Sequence, residues 1–318
     1  MRRRGAGPGD DAERRGGVRR RAAGAGSRRA RRAARDELGA HVSTAGGVAR
    51  APERAAALDA FVVQVFTKQP SRWAEPAPAP DAVRDFQAER ARHGIVVAAA
   101  HDSYLINLAT SDPTLHERSR AAFRAELARC MALGLEYLVT HPGNATDGDR
   151  ESGLVRNAEA IERALEEVGG STMVLLETTA GGGSALGASF EEIARLRQGV
   201  RPSLRERVGV CLDTCHAWAA GYDLRDDYDG VMARLADTIG LEWLRLFHLN
   251  DSVGDRGSRR DRHAHIGGGA LGEAPFRRLM TDERLLAVPK VLETPKDDDP
   301  VAADRENLDR LRRYRREG

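Results

Sequence analysis

Cysteine is nearly absent from this 318-residue chain. Cys130, Cys211 and Cys215 are an odd, sparse set without the spacing of a disulfide framework. A bridge-stapled secreted domain is therefore excluded, and a reducing compartment, the cytoplasm, is expected. Long apolar runs are missing too. No stretch approaches the roughly 20 residues that span a bilayer, and the arginine-rich N-terminus lacks the apolar centre of a secretory signal. Neither a membrane partner nor export is expected. Lysine is confined to Lys68, Lys290 and Lys296 among 50 basic residues, a skew toward arginine that reads as compositional bias. The glycine-rich phosphate cradles GxGxxG and GxxxxGK[ST] do not occur. Gly181, Gly182 and Gly183 form a run, but it follows Glu177 without a phosphate-loop lysine and reads as a tight loop.

The formal charge of +2 conceals a division. Residues 1–36 hold 13 arginines against Asp10, Asp11, Glu13 and Asp36, a local +9, which leaves −7 on the other 282 residues. This arginine, glycine and alanine segment has almost no large apolar side chain, so burial cannot offset its chain entropy, and it is expected to be disordered. Two roles stay open for it, a basic arm that holds DNA or a dispensable extension. The acidic remainder can handle nucleic acid only through a focused patch or bound cations.

From residue 37 onward a rhythm repeats, in which a short β-branched or apolar run, a polar loop and an amphipathic stretch follow one another. Strands are predicted at Leu38–Val42, Phe61–Phe66, Ile95–Ala100, Tyr137–Thr140, Met173–Leu176, Val208–Leu212, Trp243–Phe247 and Pro289–Leu292. Helices such as Pro80–His93, Pro113–Leu133 and Leu154–Val168 fall between them, with Gly94, Gly134, Gly169 and Gly240 where C-caps belong. Eight strand–helix units in about 280 residues match a single (β/α)8 TIM barrel occupying residues 37–318 better than an open doubly wound sheet.

What ends each strand carries the chemistry. The third strand runs into His101, the fourth into His141, the fifth into Glu177, the sixth into Asp213 and His216, the seventh into His248 and the eighth into Glu293. The loop after the seventh adds Asp261 and His263. In a barrel these positions converge on one mouth. Five imidazoles and four carboxylates are too many for one ion, and at three or four ligands each they divide among about three, with a carboxylate as bridge. Their type suits Zn²⁺, with Mn²⁺, Fe²⁺ or Co²⁺ as competitors. Three divalent ions, four carboxylates and one hydroxide leave a net charge of about +1, a local attraction for a phosphodiester, and clustered metals supply what its hydrolysis needs. CLDTCH resembles a metal clip, yet Cys211 precedes the strand end, and both Cys211 and Cys215 read as packing.

In GAHVSTAGG (39–47), FTKQPSRW (66–73), HDSYLINLA (101–109), HPG (141–143), DTCHAWAAGYDL (213–224), HLNDS (248–252), DRHAHIGGG (261–269) and LETP (292–295), the chain resembles the endonuclease IV family of abasic-site endonucleases, also called AP endonuclease family 2. The resemblance covers residues 38 to about 295. It implies that His101, His141 and Glu177 hold a first zinc, with Glu177 bridging to a second completed by Asp213, His248 and Glu293. His216, Asp261 and His263 would hold a third. It further implies cleavage of the phosphodiester 5′ to an abasic deoxyribose, leaving a 3′-hydroxyl and a 5′-deoxyribose phosphate, and trimming of blocked 3′ ends. A hydroxide bridging the first two ions would attack in line. Tyr104 and Leu105 stand where the family pushes side chains into the duplex.

Some positions depart from the family pattern. Ser71 replaces an Arg, with Arg72 one place later as the candidate to fill the gap in the base stack. Thr178 stands where Asn often follows the bridging Glu, and Gly182 replaces a bulkier polar residue. The expected substrate is double-stranded DNA with abasic sites or blocked 3′ ends, and the expected state a monomer. A metal-dependent sugar isomerase or epimerase on the same barrel is the alternative, although nine ligands would leave it few free bases. A non-catalytic lesion-binding protein would lack at least one ligand, and every position is filled.

Overall fold

The structure, a computed structural model, describes residues 37–318, so the expectation for residues 1–36 lies outside the described residues. Strands and helices alternate from β1 (Leu38–His41) through α1 (Ala51–Ala56), β2 (Val62–Phe66), α2 (Pro80–His93), β3 (Val97–His101), α3 (Pro113–Leu133), β4 (Tyr137–Thr140) and α4 (Arg150–Val168). They continue with β5 (Met173–Glu177), α5 (Phe190–Gly199), α6 (Pro202–Arg205), β6 (Val208–Asp213), α7 (Thr214–Ala220), α8 (Tyr228–Thr238) and β7 (Leu244–Leu249). A two-residue antiparallel pair, β8 (Asp251–Ser252) and β9 (His263–Ala264), precedes α9 (Ala274–Thr281), β10 (Lys290–Leu292) and α10 (Pro300–Glu317). Strands β1 to β7 pair in parallel in chain order, and β10 joins β7 to β1 through Leu38↔Lys290, Gly39↔Val291 and Ala40↔Leu292, closing an eight-stranded ring. The TIM-barrel expectation holds.

The eight strands fall within two residues of their predicted starts and ends. They lack a polar alternation because helices cover one face and the barrel interior fills the other. Helix α4 begins at Arg150 and not at Leu154, because the Asp149 side chain accepts from Ser152 N and caps the first turn ahead of the apolar face. Gly94 and Gly134 close α2 and α3 in the left-handed conformation, as expected. No described helix is long and apolar enough to cross a membrane.

One layer inside the ring positions everything above it. Val62, Ala99, Val139, Leu175, Cys211, Leu246 and Val291, one from each of seven strands, are fully buried against one another. Gly39 takes the eighth place, where a Cβ would fall 1.9 Å from the carbonyl oxygen of Val62. Cys211 is therefore a packing residue of this layer, as its place before the strand end implies.

Candidate metal centre

Side chains two residues apart on a strand share a face. Two positions beyond each residue of the plug layer stand His41, Gln64, His101, His141, Glu177, Asp213, His248 and Glu293, a second ring at the C-terminal mouth. Six of these eight are the strand-end residues singled out in the sequence. The other two, His41 and Gln64, were not. His41 lies one residue inside the predicted strand Leu38–Val42, and Gln64 shows itself as the one polar residue of VVQVF.

The donor atoms of His101, His141 and Glu177 lie within 4.8 Å of one another, as do those of Glu177, Asp213, His248 and Glu293, and those of His216, Asp261 and His263. Glu177 is the hub. Its Oε2 is 3.0 Å from His101 Nε2 and 3.1 Å from His141 Nε2, while Oε1 is 2.9 Å from His248 Nδ1 and 3.3 Å from His216 Nδ1. Asp213 caps α7 by accepting from His216 N at 2.8 Å, and accepts from Asn250 Nδ2 at 2.7 Å. Asp261 reaches in from the loop before β9, with Oδ2 3.2 Å from His216 Nε2 and Oδ1 3.2 Å from His263 Nε2. The structure thus brings all nine sequence-derived candidates to one mouth, from a single chain.

The electrostatics of the cluster favour positive charge. Burial alone would lower the histidines, but the neighbouring carboxylates reverse it, lifting His101 to about 10 and His263 to about 9 and also raising His216 and His248. Burial would raise Glu177 and Glu293, yet the imidazoles around them, His248 foremost, hold both below the usual carboxylate range. The donor set fits divalent cations of the Zn²⁺ type, being imidazole and carboxylate converging from several strands. His263 Nε2 is buried without a hydrogen-bond partner and faces the carboxylates of Asp261 and Asp213, as a ligand atom would. Cys215 also lies near Asp213 and His263. Burial pushes its thiol up to about 12, and its Sγ turns to the Arg262 carbonyl at 3.7 Å, the contact of a packed thiol.

Around the cluster, a cleft of about 330 Å³ is lined by His41, Phe66, His101, Tyr104, His263 and Glu293 among others. Tyr104 stands at its rim 72% exposed, its ring edge-on to Phe66 at 5.3 Å, with Leu105 half-buried beside it. Arg72 is exposed on the loop after β2.

Residues 52–314 match the family model described as a xylose isomerase-like TIM barrel. A probable endonuclease 4 of Chloroflexus aggregans is 50% identical over 278 residues, 86% of this chain and 96% of that protein. One from Geobacter sulfurreducens is 45% identical over 281 residues, 87% and 94% of the two chains. The crystal structure of endonuclease IV from Thermus thermophilus superposes with a TM-score of 0.79 at 40% identity, covering 88% of this chain and 99% of that one. The chain belongs to the endonuclease IV family. A D-tagatose 3-epimerase-like protein, at 15% identity and a TM-score of 0.64, shares the fold alone.

Two of the departures from the endonuclease IV pattern have local roles. Thr178 Oγ1 accepts from Asp213 N at 3.0 Å and the Thr178 carbonyl accepts from His216 Nδ1 at 2.8 Å, so this residue supports two of the candidate donors. A Cβ at Gly182 would stand 3.0 Å from the Arg259 carbonyl oxygen, so glycine lets the loop before Asp261 approach closely. Ser71, like Arg72, is exposed, and nothing in the structure gives it a partner role.

Proposed function

We propose that this chain is a DNA-repair endonuclease that uses divalent metals, chiefly zinc with Mn²⁺ acceptable at one or more of about three sites, to hydrolyse the phosphodiester 5′ to an abasic site. The products are a 3′-hydroxyl and a 5′-deoxyribose phosphate, and the same site trims blocked 3′ ends. The supporting observation is the sharing of Glu177 between two groups of donors, with a third group at His216, Asp261 and His263. His101, His141 and Glu177 would hold one ion, Glu177, Asp213, His248 and Glu293 a second, and His216, Asp261 and His263 a third. When bound, such ions supply a water of lowered pKa, polarise the phosphoryl oxygen and neutralise the departing alkoxide.

The chain's own residues do the rest. Glu177, buried and held below the usual carboxylate range, would serve the first two positions together. Tyr104 and Leu105 at the rim enter the duplex at the lesion, and Arg72 fills the gap left in the stack. An inserted wedge costs a few kcal/mol of unstacking, least where a base is already missing, which favours the abasic site over intact duplex. Metal content per chain, combined with a nicking assay on a duplex carrying one abasic analogue, tests the reading. About three ions and a single nick on the 5′ side are expected. A chain that binds metal but leaves the duplex intact and epimerises or isomerises sugars would overturn it.

A further inference from the structure

Three of the candidate ligand histidines are oriented alike. Nδ1 of His101 lies 2.9 Å from the Asp102 carbonyl, that of His216 2.8 Å from the Thr178 carbonyl, and that of His263 3.0 Å from the Glu293 carbonyl. A carbonyl only accepts, so each Nδ1 carries a proton, and in the neutral ring each Nε2 presents its lone pair. His248 is turned the other way. Its Nδ1 faces Glu177 Oε1 at 2.9 Å and Glu293 Oε2 at 3.1 Å, while Nε2 is 2.9 Å from Gln64 Oε1.

The orientation of the Gln64 amide follows from its other contact. Gln64 Nε2 donates to Glu293 Oε1 at 2.6 Å, and a carboxylate that serves as a metal ligand is ionised. An ionised carboxylate cannot donate, so the amide NH2 faces Glu293 and the amide oxygen must face His248. Nε2 of His248 therefore donates, and its lone pair sits on Nδ1, the atom turned to the Glu177 and Glu293 carboxylates. Gln64 is fully buried in an otherwise apolar strand, a placement that is costly unless its polar atoms are satisfied. It spends both ends of its amide on two candidate ligands of one ion. His41 flanks it, with Nδ1 3.1 Å from both Gln64 Nε2 and Glu293 Oε1.

We propose that Gln64 is a positioning residue of the second metal position, its carbonyl fixing His248 as the Nε2–H tautomer so that Nδ1 is the donor, and its NH2 pinning the Glu293 carboxylate. The inference rests on the metal reading of the site. It makes His248 the single member of this histidine set aligned by a side chain, where His101, His216 and His263 are aligned by backbone. Partners of this kind are worth about 10- to 100-fold in metal affinity.

The test uses the zinc-loaded full chain with ¹⁵N-labelled histidine. Two-bond ¹H–¹⁵N correlation should show His248 protonated at Nε2 and zinc-bound at Nδ1, and His101, His216 and His263 with the reverse pattern. His248 protonated at Nδ1 would overturn the proposal. A chain that takes up no zinc would overturn the underlying metal reading instead, a failure visible in zinc content before any spectrum. As a second arm, folded Gln64→Met should lose one zinc to a chelator about 10- to 100-fold more readily while the others stay. Gln64→Glu, which sets a second carboxylate against Glu293, should release it more readily still. Unchanged zinc release from Gln64→Met, with only a lower melting temperature, would reduce Gln64 to a packing role.

Discussion

Lys68 and Glu126 form an ion pair, Nζ to Oε1 at 3.1 Å, with each side chain only 2% exposed. Lys68 Nζ also donates to the Arg72 carbonyl at 2.6 Å, so the pair ties α3 to the loop that presents Arg72. Removing one partner leaves a buried charge alone, and Glu126→Ala should cost about 3–5 kcal/mol in denaturant unfolding. The double replacement Lys68→Met with Glu126→Leu should recover most of that loss, because a buried pair contributes little beyond an apolar pair of like volume. A double variant as unstable as the single one would show that the pair contributes net stability.

Glu177→Gln nearly preserves volume while removing the charge that four imidazoles share. Cleavage of an abasic duplex under single-turnover conditions should fall by several orders of magnitude in a folded protein. If the ions remain, the mouth gains about one positive charge, and duplex binding should persist or tighten. Near-normal cleavage with all metals bound would remove Glu177 from the chemistry.

Tyr104 reaches out from the rim, 72% exposed, with its ring edge-on to Phe66, so Tyr104→Ala should leave metal content intact. Stacking-type contacts are worth about 1–3 kcal/mol, and affinity for abasic duplex should drop by roughly tenfold to a hundredfold while affinity for intact duplex changes less. Equal losses on both duplexes would assign Tyr104 to general support of its loop.

Lys290 is 1% exposed, and burial pushes its ammonium down to about 7, with Arg315 adding to the effect. Its Nζ donates to the Leu285 and Val288 carbonyls, each at 2.8 Å. The unfolded chain keeps this proton up to about pH 10.4. Between pH 7 and that value the unfolded state binds more protons, so the Lys290 contribution to stability rises with pH, by at most about 1.4 kcal/mol per unit, and is level below 7. Urea unfolding at pH 7 and 9.5 should show the wild type gaining on Lys290→Met as pH rises. A constant difference between the two proteins would place the amine near its ordinary pKa.

The barrel was legible because each strand is an apolar run long enough to stand out between helices, and the nine donor candidates because they follow those runs or the loop after the seventh. What escaped had physical reasons. Strands β8 and β9 are two residues each, too short for any periodicity, although they set the loop that carries Asp261 and His263. Gln64 lies inside its strand and not at its end, and a strand buried on both faces gives no alternation to mark which residues look inward. His41 is masked in the same way, because Val42 extends the apolar run one residue past it. The roles of Tyr104, Leu105 and Arg72 rest on resemblance, because an exposed tyrosine, a half-buried leucine and an exposed loop arginine carry no spacing or periodicity that marks a DNA contact.

Ring closure also bears on when the site can exist during synthesis. Glu293 lies 252 positions after His41, yet the two side chains meet at 3.1 Å across the β1–β10 seam. Until β10 docks, β1 has an open edge and the second donor group lacks its last carboxylate. A zinc finger gathers its ligands from a short local segment and folds around the ion. Here the candidate donors come from the ends of six barrel strands, from helix α7 and from the segment that leads into β9, so a nascent chain cannot assemble the full set before the longest-range pairing of the fold. Closure across so long a separation leaves the edges of β1 and β7 unpaired until β10 is in place, and unpaired strand edges are where other chains can pair.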